Sequence, residues 1–120
     1  MPIVNDGLNV MSANMAGSNI NINFIAIGES DDPWTENDSS LGSELKRVPI
    51  LIKDLTTPHT VIMNAAFTPT EISGLTITEI GTFTQDDVLI NREVLTVPIT
   101  FDGLSEFQVQ QSIVFAISGT

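Results

Sequence analysis

Apolar residues in this chain recur at every second position over strand-length runs, and Gly, Pro, Asn and Asp separate the runs. Asn19-Ile20-Asn21-Ile22-Asn23-Phe24 alternates strictly, and at Ile25-Ala26-Ile27 the opposite parity also turns apolar. That end of the strand is expected to be covered on both faces. Leu75, Ile77 and Phe83 share one parity, as do Phe107, Val109, Ile113, Phe115 and Ile117. A period of two fits the pleat of a β-strand and no helix. One segment breaks the rule: Leu8, Met11 and Met15 lie at helical spacing between Asp6, a candidate cap, and Gly17, a candidate stop.

The spacing therefore predicts a short helix over 7–16 and strands over 19–27, 46–55, 61–67, 75–83, 88–95 and 106–118. Pro98 is expected to break any continuous strand near 97–100. Residues 56–60 read as a hairpin connection, 68–74 as a link with one helical turn, and 85–87 as a tight turn. Residues 28–43 carry turn formers and no hydrophobic period, so they read as one long loop, a length that tends to be functional. The predicted fold is mainly β: an antiparallel β-sandwich or open barrel of about six or seven strands with one short N-terminal helix. Residues 1–120 form a single domain, large enough to bury a core without staples.

Charge narrows the function. There are 15 acidic residues against 4 basic ones, a formal net charge of -11. Nucleic acid and anionic membranes need basic residues to neutralise phosphate, so neither is an expected partner. There is no cysteine, which removes disulfides, thiolate metal sites and cysteine nucleophiles together. No apolar run of about eighteen residues would span a membrane, and residues 1–10 do not form a secretory signal. A cytoplasmic site of synthesis is expected.

Two short signatures flank the midpoint. The first is Phe24-Ile25-Ala26-Ile27-Gly28, then the acidic loop, then Leu41-Gly42-Ser43-Glu44-Leu45-Lys46-Arg47; the second is Leu75-Thr76-Ile77-Thr78-Glu79-Ile80-Gly81-Thr82-Phe83. In order and spacing they resemble the N-terminal, particle-attaching β domain of bacteriophage tail-collar and tail-fibre proteins, over roughly residues 5 to 118. That family has a strand ending in glycine, a polar loop, a Leu-x-x-Glu-x-x-Arg element and a later Thr-Ile-x-Glu-Ile-Gly-x-Phe strand. The resemblance implies a structural role in a virion, at a tail collar, baseplate or fibre base, without catalysis or cofactor. It implies a homotrimer touching other virion proteins, made in the host cytoplasm. Because the family carries this domain ahead of a longer fibre, a chain of 120 residues is expected to act as a connector or cap.

No catalytic constellation emerges. His59 is the single histidine, beside Pro58 in a turn, and lacks a partner at catalytic or metal-ligand spacing. The loop residues Asp31, Asp32, Glu36 and Asp38 invite calcium, but Pro33 lies inside the run and the spacing is not that of an EF-hand, so no metal is expected. Those four acids, with Trp34 as an aromatic anchor, are instead candidates for contact with a neighbouring subunit. Glu79 shares parity with apolar neighbours, so a regular strand would turn its carboxylate inward, where it needs a cation. Arg47 is the first candidate partner and Arg92 the second; a bulge near Gly81 would expose Glu79 instead. Either way the pair would be structural.

Ile50-Leu51-Ile52, Val61-Ile62-Met63 and Ile113-Val114-Phe115-Ala116-Ile117 are apolar in both parities. A lone sandwich covers one face of each strand, so the excess predicts cover from the helix or from another copy. A capsid-decorating protein would need the same small acidic β domain; a small-ligand-binding β domain is the remaining alternative.

Overall fold

The computed structural model describes residues 3–15, 17, 21–56 and 60–114. Helix α1 (Asn5–Met15) leads into β1 (Ile22–Gly28), β2 (Glu44–Pro49), β3 (Ile52–Asp54), β4 (Thr60–Phe67), the single-turn helix α2 (Pro69–Ile72), β5 (Thr76–Thr84), β6 (Leu89–Thr100) and β7 (Phe107–Val114). They form two antiparallel sheets, one of four strands in the order β2-β1-β5-β6 and one of three in the order β3-β4-β7. The mainly β prediction with one short N-terminal helix holds.

The inner faces of the sheets enclose the main core. Ile25, Ile27, Val48, Ile80 and Ile90 meet Met63, Ala65, Phe67, Val109 and Ile113 across it. Ile72 of α2 joins this core, and α2 is closed at its start by a reciprocal capping box between Thr68 and Glu71. Thr82, Asn91 and Gln111 are buried too, and carry side-chain atoms with no hydrogen-bond partner among the described residues.

A second, smaller core lies on the other face of the four-stranded sheet, where Ala26, Phe83 and Leu89 meet Val4 and Leu41. The doubly apolar end of β1 is thus covered on both faces, as its sequence predicts. The chain itself supplies the second layer, with Val4 ahead of α1 and Leu41 from the 29–43 loop. Ile3 adds an isolated antiparallel bridge to Asn91.

Four local expectations need correction. The 46–55 run is two strands: after Pro49 the chain changes sheets, Ile50 donating its amide to Asn23 of β1 and Leu51 to Asn64 of β4. A proline that cannot donate to a ladder marks this corner. Pro98 does not end β6. Glu79 pairs with Val94 and Ile77 with Ile99, so residues 95–98 bulge opposite Thr78 and take Pro98 out of the ladder. Helix α1 begins at Asn5, which places Asp6 within its first turn. Leu8 is half-exposed, because α1 packs through Gly7 and Val10; a Cβ on Gly7 would lie 2.9 Å from Ile90 Cα. The predicted strand residues 19–20 and 115–118, and the turn carrying His59, lie outside the described residues.

Candidate functional site

Three residues with little or no side chain open a trough on the outer face of the four-stranded sheet. Ala26 and Gly81 stand opposite one another on β1 and β5, and Gly28 stands opposite Glu79. A Cβ on Gly81 would come within 2.6 Å of Leu41 Cδ2, so the glycine is what lets the long loop lie down on the sheet. A Cβ on Gly28 would meet the Ser43 carbonyl oxygen at 2.5 Å and the Glu79 carboxyl carbon at 2.8 Å.

Glu79 projects from β5 into this trough and is fully buried. The carboxylate is buried, as the parity reading expected, but on the outer face: its parity mates Leu75 and Ile77 pack in the main core, and the register shifts between Ile77 and Glu79. Its Oε1 accepts from Arg92 Nε at 2.8 Å and from the Gly42 amide at 2.8 Å. Its Oε2 accepts from the amides of Ser43 at 2.8 Å and Ser30 at 3.0 Å. One carboxylate thus holds both ends of the 29–43 loop. Arg92, only 2% exposed, holds the middle: Nη2 donates to the Asp32 carbonyl at 3.0 Å and Nη1 to Asp38 Oδ2 at 3.3 Å. Asp38 is fixed in turn by the Thr35 amide at 3.0 Å and the Thr35 hydroxyl at 2.9 Å. The loop also reaches α1, since the Glu36 carbonyl accepts the Asn5 amide at 2.8 Å. That bond satisfies one of the donors a helix start leaves unpaired.

The electrostatics follow from the geometry. Burial pushes the Glu79 pKa up, but the Arg92 guanidinium and the amides of Ser43, Gly42 and Ser30 more than reverse it, so the carboxyl is held below its ordinary value. At Asp38 burial again raises the pKa, and the Thr35 bonds with the Arg92 charge bring it below the ordinary value. Both groups are ionised at neutral pH. A buried carboxylate with four hydrogen bonds and a fixed cation sets position and has no free lone pair aimed at a substrate.

The partner of Glu79 is Arg92, the second candidate, and not Arg47. Arg47, Ala26, Gly81 and Arg92 form one register row across the sheet. Arg92 is on the strand next to β5, whereas β1 intervenes before Arg47, two strand spacings or about 10 Å away. Arg47 instead pairs with Asp87 and bidentately with Glu44, at 3.1 and 2.8 Å, and lies 3.8 Å above the Phe83 ring centroid. The Glu and Arg of the Leu-x-x-Glu-x-x-Arg element therefore bind each other.

Of the interface candidates, Asp31, Asp32 and Glu36 are exposed and Trp34 is 37% exposed, whereas Asp38 is turned in to Arg92. A polar cavity of about 300 Å³ lies over Arg92 between Asp32, Asn37, Asp38 and Ser40. Among the described residues no three His, Asp or Glu side chains gather closely enough to hold a metal ion. The anchoring role of Ser30, and of Gly42 and Ser43 within the first signature, escaped the sequence reading because they act through backbone amides, which side-chain identity does not report. The recoverable signal was Gly28 and Gly81, each on the parity of Glu79 or directly across from it.

No protein-family model matches this chain, and neither a curated protein nor a solved structure matches it.

Proposed function

We propose that this chain is a non-enzymatic structural protein of a bacteriophage tail, a collar, baseplate or fibre-base adaptor that works through contacts between its own copies and with other virion proteins. The observation that carries the reading is the convergence of its signature residues. Gly28 and Gly42-Ser43, from the two arms of the first signature, and Glu79 of the second meet at one carboxylate. Segments far apart in sequence thus share one role, fixing a long acidic loop against a sheet. A rigid loop carrying exposed Asp31, Asp32, Trp34 and Glu36 suits a contact surface, since ordering costs are met before the partner arrives. The apolar surface left open at Leu51 and Ile52 supports assembly in the same way.

The reading places the protein in the virion, as a homotrimer after synthesis in the host cytoplasm. Density for the chain in intact particles tests it. Density at the tail is the expected result; density spread over the capsid lattice would identify a decoration protein instead, and particles lacking the chain would end both readings. The solution mass of the purified protein is a second test, with a multiple of the 12.9 kDa chain expected.

A further inference from the structure

The two outer faces of the sandwich differ. The four-stranded sheet carries its own cover in the clasped loop. The outer face of the three-stranded sheet has none among the described residues. Register places Ile52, Asn64 and Gln110 in one row on it, Ile62 and Ser112 in the next, and Ala66 opposite Gln108. The alternate positions Met63, Ala65, Val109 and Ile113 point into the core. Ile52 stays 59% exposed and the adjoining Leu51 69% exposed. Between Leu51, Ile52, Asn64, Ala66, Gln108 and Gln110 lies an open groove of about 420 Å³.

The chemistry of this face stands out against the rest of the chain. The chain carries a net charge of -11, yet none of these face residues is charged. Among the described residues its acidic groups are Asp54, on the edge strand β3 in the row of Ile62 and Ser112, and Glu106 at the groove's rim. The Asp54 carboxylate is already engaged by the amide and hydroxyl of Thr56. A neutral centre with charge kept to the margin is the layout of a protein interface.

We infer that a second copy of this chain packs on the outer face of the three-stranded sheet, an inference that rests on the proposed assembly role. Charge selects the occupant. A basic partner would find exposed carboxylates on the loop, at Asp31, Asp32 and Glu36, and none at the centre here. A copy of the same acidic protein is repelled by most of the surface and meets least repulsion at this face. Asn64, Gln108 and Gln110 each offer donors and acceptors together, so an uncharged surface of the same composition satisfies them. Ile52 and Leu51 supply the apolar area that association would remove from water.

The test is sedimentation of the full chain across a concentration series. The variants are Ile52→Glu with Gln110→Glu, Gln110→Lys alone, and Asn9→Glu on the exposed side of α1, with circular dichroism to verify that each folds. The expected result is an assembling wild type, a dissociation constant raised about a hundredfold by the face variants of either sign, and no change for Asn9→Glu. Two folded face variants that assemble like the wild type would overturn the assignment of this face and leave the assembly role standing. A wild type that is monomeric at every concentration would overturn both.

Discussion

Glu79 and Arg92 are a buried ion pair whose removal strands more than one group. Glu79→Ala leaves the Arg92 guanidinium and the amides of Ser30, Gly42 and Ser43 without their acceptor. Breaking a pair of this kind costs about 3–5 kcal/mol, and urea denaturation of Glu79→Ala is expected to read a loss of that size. Arg47→Ala is expected to lose only about 1 kcal/mol, because its partner Asp87 is largely exposed and its stacking on Phe83 is a modest term. Equal losses would mean that Arg47 anchors the loop after all. The pH dependence has a definite sign. Glu79 has a folded pKa below its ordinary 4.5, so its contribution is complete above 4.5 and disappears as pH falls through the lower folded value. Asp38 adds to the same acid window from an ordinary 3.8. Acid titration of stability is expected to be shallower in Glu79→Gln than in the wild type; parallel curves would refute the link. Parity left open whether Glu79 is buried or exposed; its cover was not legible, because the register shift after Ile77 turns it away from the core of Leu75 and Ile77 and under the loop. Its partner was not legible either, because Arg47 and Arg92 lie in one register row and only strand order decides which is the neighbour.

At the scale of elements, the 29–43 loop behaves as a part of the fold although nothing in its composition announces it. Its anchors are Glu79 and Arg92, three small-residue positions on the sheet and three of its own amides. The sequence therefore reported a long polar loop correctly and could not report that it is tied down. The same limit explains the strand over 46–55, where alternation continues through a corner and only the change of hydrogen-bond partner from Asn23 to Asn64 reveals two sheets. It also explains Pro98, which a bulge accommodates by leaving the ladder. Gly28→Ala tests the clasp directly, since the added methyl would press on the Ser43 carbonyl and the Glu79 carboxylate together. The expected outcome is faster hydrogen exchange at the Ser30, Gly42 and Ser43 amides, with the amides of β4 and β7 protected as before. Unchanged exchange at those three amides would show that the loop is held by something other than Glu79.

The whole molecule is a sandwich that hides one outer sheet face under its own chain and, among the described residues, leaves the other open, neutral at its centre and acidic only at Asp54 and Glu106. Surplus apolar surface was legible in the sequence as strands greasy in both parities; which of them the chain covers by itself depended on the loop and was not. This asymmetry bears on how assembly responds to salt. Two copies, each with a formal charge of -11, repel at long range. A contact through a face neutral at its centre gains little Coulomb attraction in return. Salt screens the repulsion over a Debye length of about 30 Å at 0.01 M and about 8 Å at 0.15 M, while apolar burial is not weakened by it. Self-association is therefore expected to tighten as sodium chloride rises through that range and to level off near about 1 M, where the screening length is about 3 Å. Sedimentation at fixed protein concentration measures this. The opposite slope, weaker association with added salt, would mean that the contact is built on ion pairs. The scarce cations Lys46, Lys53 and Arg47 would then be seated on a neighbour's acidic loop, and the neutral face would be left without a role.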